Sequence, residues 1–300
     1  MGIMSLLEDP KTFLFGLLLS LPGILLALCG HEAAHAWVAK KCGDPTAEMM
    51  GRITLNPAKH LDPVGFVCMF LLGFGWAKPV PVNPNNFRHG RRDDLKVSLA
   101  GITANIIMCL IGFILLMLMF FAALSKVPEV SDSLPDSFPF TTRYLDEMLY
   151  VMPDKNYFYL SFEDLFRAAS GIWNFGAGDG QYYNIVEMLI EPVMGKAAGY
   201  AYQMLSRFAL INFSLAVFNL IPVPPLDGYH VLNDLILKRP LFAPRKAAQI
   251  ASFLLIALIF IGNVNEDWDI LSKALDFVRT TVFDGLTAAV YALSNALSLF

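Results

Sequence analysis

Long apolar runs, separated by polar and proline-rich stretches, dominate the pattern along this chain. They cover residues 12–30, 97–124 and 202–220, and residues 250–262 form the centre of a fourth. A helix of about 20 apolar residues crosses the hydrocarbon core of a bilayer. The pattern therefore predicts an all-α polytopic membrane protein with about four transmembrane helices.

A further apolar run, Pro63–Ala77, has 15 residues and is short for a transmembrane helix. It predicts a re-entrant segment or a hairpin that dips into the membrane. The preceding stretch Met49–Leu55 predicts a short strand or hairpin, a small membrane-associated β element whose edge could pair with an extended peptide. The next stretch, Lys78–Pro84, contains three prolines and must be extended, since prolines at that density exclude a helix.

Changes in composition divide the chain into four parts. Residues 1–124 hold the first half of the membrane core, and residues 202–263 hold the second half. Residues 125–201 are acidic and rich in aromatic residues, which predicts an extracytoplasmic insertion. Residues 264–300 carry apolar residues at helical spacing, which predicts an amphipathic tail along the membrane surface.

The overall composition agrees with a membrane protein. Hydrophobic residues make up 56% of the chain and charged residues 16%, whereas a soluble domain carries about 25% charged residues. The chain therefore lacks the polar surface that it would need in water, and its expected surroundings are the lipid bilayer. Its net charge of −4 argues against nucleic acid as a partner.

The distribution of charge predicts an orientation. Basic residues are concentrated in residues 40–96 and 229–247, whereas residues 126–201 are acidic. Cytoplasmic loops of membrane proteins carry an excess of Lys and Arg, so the two basic regions should face the cytoplasm. This arrangement needs four spans and a segment 63–77 that does not cross. It predicts a multi-pass protein of the cell membrane with both termini extracytoplasmic.

The sequence His31-Glu32-Ala33-Ala34-His35 follows directly after the first apolar run. In a helix, residues i and i+4 share one face, so His31 and His35 can bind one metal ion. Glu32 then lies beside them as a proton acceptor for a water molecule at the metal. An ionisable cluster at the end of a membrane-length segment indicates a functional site.

A third ligand is needed, because catalytic zinc sites usually take three from the protein. Asp227 ends the third apolar run on the same predicted side as His35. The prolines before it require an extended approach, and Gly228 permits a sharp turn after it. Asp227 could instead cap the following helix, and His230 is the best substitute ligand.

Two further polar residues have open roles. Asn105 shares a face with Gly101 near the start of the second span, and either an interhelical hydrogen bond or a role in the site would account for it. His60 lies at the mouth of the short apolar segment. It could position substrate or simply stabilise a turn.

Three stretches together resemble the site-2 protease family of intramembrane zinc metalloproteases. They are HEAAH at 31–35, AGITAN at 100–105 and NLIPVPPLDG at 219–228. The stretch from Leu55 to Gly65 is similar to that of compact members without PDZ or CBS domains. The matching parts are residues 12–124 and 202–237, about half of the chain.

The resemblance implies a three-helix catalytic core and one bound Zn²⁺ ion. His31, His35 and Asp227 would correspond to the zinc ligands and Glu32 to the catalytic glutamate. Asn105 and Asn219 would lie near the cleft.

The implied activity is hydrolysis of peptide bonds within or near transmembrane segments of membrane-protein substrates, as in regulated intramembrane proteolysis, with the active site toward the cytoplasm. Three alternatives stay open: a membrane zinc transporter, a catalytically inactive membrane adaptor, and a membrane zinc protease of another fold whose third ligand is a glutamate.

Overall fold

The computed structural model describes residues 9–72, 75–130, 186–238 and 245–264, with residues 273–275, 277–278, 281–282 and 285. The greater part of the predicted insertion 125–201 and of the predicted tail 264–300 lies outside these residues.

The described chain is mainly helical. Its α-helices, in chain order, are α1 (Pro10–Cys42), α2 (Thr46–Met49), α3 (Pro57–His60), α4 (Pro63–Leu72), α5 (Arg91–Val130), α6 (Glu191–Met194), α7 (Lys196–Asn219), α8 (Asp227–Val231) and α9 (Arg245–Val264). A 3₁₀ turn covers Pro84–Asn86, and wider π turns cover Val186–Ile190 and Leu232–Leu237.

Helix α1 contains the first apolar run and HEAAH in one continuous element of 33 residues. The Asp9 side chain accepts a hydrogen bond from the Thr12 N–H at 3.2 Å and caps its first turn. Gly43, at φ 110°, ends the helix in the left-handed conformation that glycine adopts without strain. At 1.5 Å per residue the helix is about 50 Å long, more than a bilayer core requires.

Two helical segments are long and apolar enough to cross a membrane, Pro10–Cys42 and Arg91–Ala123. They correspond to the first two predicted spans. Helix α7 is long enough but not apolar enough, because polar residues such as Arg207 interrupt it. Helix α9 contains only a shorter apolar stretch, Lys246–Ile259. The predicted count of four spans is therefore not confirmed.

The predicted β element is not confirmed either. Within the described ranges the backbone forms no strand, and its one β contact is an isolated antiparallel bridge between Leu61 and Ala77. The stretch Met49–Leu55 instead begins with the last residue of α2 and continues as turns and bends. The Asp44 carboxylate accepts hydrogen bonds from the Thr46 N–H and hydroxyl, which starts α2 just before the stretch where a strand was expected.

The short apolar segment begins with α4, and its two ends meet. Leu61 pairs with Ala77, and the Lys78 N–H donates to the His60 carbonyl at 2.7 Å. Gly65 packs so closely on the returning chain that a Cβ there would lie 2.3 Å from the Trp76 carbonyl oxygen. The segment therefore returns close to where it began, and its dip into a membrane stays a prediction.

The chain divides into two compact units. The first comprises Met1–Cys109 and Ile211–Asp276, and the second comprises Leu110–Leu210 and Phe277–Phe300. These boundaries fall inside α5 and α7, whereas the composition placed boundaries after residues 124 and 201. The motifs at 31–35, 100–105 and 219–228 all belong to the first unit.

Candidate metal centre

Three side chains that are far apart in the sequence converge on one point. Asp227 Oδ2 lies 3.2 Å from His31 Nε2 and 3.2 Å from His35 Nε2. The two Nε2 atoms are 3.0 Å apart. Zinc ligands at 2.0–2.1 Å in tetrahedral geometry lie about 3.3 Å from one another. The three distances therefore fit ligands of a single ion.

The hydrogen bonds of Asn105 determine which ring nitrogen of a neutral His31 carries the proton. Its Nδ2 donates to the Ala27 carbonyl at 3.3 Å and to Asn212 Oδ1 at 2.9 Å. Because a carbonyl can only accept, this contact fixes the orientation of the amide, and Asn105 Oδ1 faces His31 Nδ1 at 2.6 Å. The proton of a neutral His31 is therefore on Nδ1, as inferred from these partners.

The proton of a neutral His35 is placed in the same way, by a backbone hydrogen-bond acceptor. Its Nδ1 lies 2.7 Å from the Val97 carbonyl oxygen, so it must carry the proton that makes this bond. Both Nε2 atoms are then left with lone pairs directed at each other and at a carboxylate oxygen.

The chemistry of these three atoms fits a positive charge at their centre. Two imidazole lone pairs and an anionic oxygen face each other, and Asp227 Oδ2 is buried without a hydrogen-bond partner. Burial of an unpaired anionic oxygen costs several kcal/mol unless a cation is present, on the order of 3 or more. Among the described residues, these three form the one group of at least three metal-capable side chains. Two nitrogens and one oxygen are a donor set typical of catalytic zinc.

Two glycines allow the elements to approach closely enough. A Cβ on Gly101 of α5 would lie 2.4 Å from His31 Cε1 and 2.4 Å from His35 Nε2. Gly228 follows Asp227, and its Cβ would lie 2.3 Å from the Leu220 carbonyl oxygen at the end of α7. Both positions therefore exclude any side chain.

Glu32 belongs to the same helix and binds a different partner. Its Oε2 accepts a hydrogen bond of 2.8 Å from the Val80 N–H. Val80 lies in the proline-rich stretch after the short apolar segment, which has no helix between Ala77 and Asn83, as predicted.

The remaining predicted residues have separate contacts. Asn105 is fully buried and binds His31 directly, as described above. Asn219 donates to the Leu215 carbonyl of its own helix at 3.0 Å. His60 is fully buried and binds the Thr54 carbonyl at 2.8 Å, so its contacts are with the loop. The structure therefore brings only Asn105 of these three to the histidines.

His230 is turned to another ionisable group. Its Nδ1 lies 3.5 Å from Asp94 Oδ2. This contact raises the pKa of His230 above the usual value and outweighs burial, which lowers it. Nearby, burial and Asp94 raise the pKa of Asp234 to about 6. His230 is thus not needed as a substitute for Asp227.

The sequence reasoning missed several supporting groups. Asn212 is a fully buried polar residue inside an apolar run, and that alone could have marked it. The Val97 carbonyl and the Val80 N–H are backbone groups, which every residue type offers. They leave no signal in a sequence.

Comparison with known proteins agrees with this geometry. The sequence profile described as "Peptidase family M50" matches residues 20–262. The Bacillus subtilis (strain 168) protein "Putative zinc metalloprotease YwhC" is 30% identical over 257 residues, which are 85% of this chain and 86% of that protein. "Putative zinc metalloprotease Rip2" of Mycolicibacterium smegmatis (strain ATCC 700084 / mc(2)155) is 30% identical over 107 residues, 34% of this chain and 41% of that protein. No solved structure matches the chain.

The profile spans most of the chain and includes all three site motifs. The apolar helices Pro10–Cys42 and Arg91–Ala123 agree with a membrane location, and the histidine–aspartate cluster agrees with a bound metal. The chain belongs to peptidase family M50, the site-2 protease family, and is a membrane metallopeptidase that uses zinc.

Proposed function

We propose that this protein hydrolyses peptide bonds within or near transmembrane segments of membrane-protein substrates, the reaction of regulated intramembrane proteolysis. His31, His35 and Asp227 hold one zinc ion, and Glu32 is the catalytic base. The observation that carries the proposal is the convergence of three proton-free ligand atoms, those of His31, His35 and Asp227. The two histidines lie with Glu32 on a helix of membrane-spanning length.

Glu32 and the two histidines have different roles in the reaction. A bound zinc ion supplies Lewis-acid polarisation of the scissile carbonyl and activation of water. Glu32 accepts a proton from the attacking water and returns it to the leaving amine. His31 and His35 keep their Nε2 lone pairs available because Asn105 and the Val97 carbonyl hold the protons on Nδ1.

An apolar groove beside the site supports a peptide substrate. It has a volume of about 350 Å³. Its lining comprises four residues of α1 and three of the following loop: Gly30, Ala33, Ala34, Trp37, Ile53, Thr54 and Leu55. Small residues on α1 let a peptide backbone approach closely. A substrate helix must unwind before attack because its amides are engaged in hydrogen bonds, and the unwound part would lie along Ile53–Leu55.

The proposal includes the orientation predicted from charge. The protein crosses the cell membrane four times, its active site opens to the cytoplasm, and both termini are extracytoplasmic. The basic residues between 40 and 96 and between 229 and 247 support this orientation.

The test is cleavage of a defined membrane reporter. The reporter is a single 20-residue Leu/Ala span with a central Asn-Gly pair, between an epitope tag and a fluorescent protein. The purified chain should cleave it in proteoliposomes, and Glu32→Gln should lower the rate at least about 100-fold while zinc content is kept. Asp227→Ala should lose both zinc and cleavage.

Other outcomes would support the alternatives. Unchanged cleavage by the Glu32→Gln variant would refute the proposed base. Zinc uptake into the proteoliposomes without cleavage would indicate a transporter, and tight zinc binding with neither activity would indicate an adaptor. The compact arrangement of the three ligand side chains in one cluster favours a fixed ion over a transported one.

A further inference from the structure

Three charged side chains bind the backbone of Lys78–Asn83, which we call the proline strap. At its start, the Arg52 guanidinium donates to the Lys78 carbonyl and, at 3.0 Å, to the Pro79 carbonyl. At its end, Asp44 Oδ2 accepts the Asn83 N–H at 2.7 Å. Between these anchors, the Val80 N–H donates to Glu32 Oε2.

The strap is held rigidly on both sides of Val80. Arg52 is 4% exposed and Asp44 is fully buried, so water does not compete for their hydrogen bonds to the strap. Pro79 and Pro81 fix their own φ angles. Val82 packs against the cluster of Ala39, Cys42, Phe87 and Val97. The strap is therefore a fixed wall beside α1, and its amide at position 80 has a set direction.

Glu32 needs such support more than the ligands do. A glutamate side chain has three rotatable bonds, and restricting them costs conformational entropy. The histidines are held by Asn105 and by the Val97 carbonyl, whereas the carboxylate of Glu32 is held by the strap. A hydrogen bond from an amide to a carboxylate is charge-assisted and about twice as strong as a neutral one.

We propose that the Val80 backbone N–H is the positioning group for the catalytic base: it holds Glu32 Oε2 so that Oε1 accepts the proton of the attacking water. This inference rests on the proposed function. The sequence Pro79-Val80-Pro81 places a single donor between two residues that have none. The strap thereby presents one N–H to Glu32 and keeps the neighbouring backbone from competing for it.

Proline substitution tests the donor with a matched control. Val80→Pro removes the N–H within a segment that is already extended, and Val80→Ala keeps it with a smaller side chain. In the reporter assay, Val80→Pro should lower kcat about 10- to 100-fold with KM and zinc content within about twofold of wild type. Val80→Ala should retain most of kcat.

Nuclear magnetic resonance of ¹⁵N-valine-labelled protein gives a readout that is independent of turnover. The Val80 cross-peak, assigned by its loss in Val80→Ala, should lie downfield because its proton binds a carboxylate. It should move upfield in Glu32→Ala and stay in place in Asp62→Asn. The spectrum also reports whether each variant is folded.

Each other result has a defined meaning. Equal kcat for Val80→Pro and Val80→Ala would overturn the positioning role, and so would a Val80→Pro loss that appears in zinc content or KM. A rise in kcat would also overturn it, because the amide would then inhibit Glu32. If wild-type cleavage does not depend on Glu32, the proposed function fails as well, so the wild-type and Glu32→Gln arms separate the two failures.

Discussion

At the residue scale, the site depends on groups that contribute no charge and no ligand atom. Gly101 lies against both histidine rings, and Asn105 orients one of them. HEAAH and Asp227 could be identified from the sequence because their chemistry is specific to the residue type. The spatial role of Gly101 could not, because a glycine in an apolar run more often serves helix packing.

Replacement of Gly101 by alanine should abolish metal binding. The added Cβ would stand 2.4 Å from His31 Cε1 and from His35 Nε2, so at least one imidazole must turn away. We expect zinc content below about a tenth of the wild-type value, measured on purified protein, because ligand geometry controls affinity. Thr103→Ala is the control, since Thr103 is exposed on the same helix. Full zinc content in Gly101→Ala would contradict the geometry.

Replacement of Asn212 by alanine should weaken zinc binding without removing a ligand. Asn212 Oδ1 helps to hold the Asn105 amide in the orientation that keeps the His31 proton on Nδ1. Loss of such an outer partner typically costs 10- to 100-fold in metal affinity, so we expect about a tenfold rise in the zinc Kd. Asn219→Ala on the same helix should leave the Kd unchanged, because Asn219 binds its own backbone. Competition with a fluorescent chelator measures both.

At the element scale, the sequence predicted the long apolar helices better than the loops. The period and length of an apolar run are local properties, so α1 and the extended strap follow from the sequence itself. The stretch after α1 depends on Asp44, whose carboxylate also binds Asn83 and Asn86, about 40 residues further along. No local pattern contains that contact, and a strand was therefore predicted over Met49–Leu55, where turns and bends follow α2.

The junction between α5 and the π turn after α8 predicts a pH effect on stability. Asp234 Oδ2 is buried without a hydrogen-bond partner, and burial together with Asp94 raises its pKa to about 6. An unfolded aspartate has a pKa of about 3.9. Between these values the folded state binds more protons than the unfolded one, so the unfolding free energy decreases as the pH rises from about 4 to 6.

Asp234→Asn should therefore stabilise the protein at neutral and basic pH. It keeps the shape of the side chain and removes the charge whose burial is unfavourable. The variant should unfold at a higher temperature than wild type at pH 8, and the difference should shrink at pH 4.5, where Asp234 of the wild type is protonated. Thermal unfolding in detergent at the two pH values measures this. A lower melting temperature at pH 8 would mean that the contact with Arg91, 3.8 Å away, outweighs burial.

At the scale of the whole molecule, charge and hydropathy give different information about the membrane. Hydropathy identifies α1 and Arg91–Ala123 as spans, whereas α7 and α9 are too polar or too short to be identified in the same way. Charge concerns the connections, and the orientation predicted from it needs the chain to cross at α7 and again at α9. The side of the membrane on which each connecting segment lies therefore distinguishes two spans from four.

Cysteine accessibility should decide this in favour of four spans. In a variant with Cys29, Cys42, Cys68 and Cys109 replaced by alanine, single cysteines are introduced as Asp136→Cys, Lys238→Cys or Ser294→Cys. A membrane-impermeant maleimide applied to intact cells should label positions 136 and 294, which lie in the acidic region and the tail. It should label position 238, in the second basic region, only after permeabilisation, because positively charged loops remain in the cytoplasm. Labelling of position 238 in intact cells would mean that α7 does not cross, and would place Asp227 on a different side from the one that the charges of residues 40–96 assign to His35.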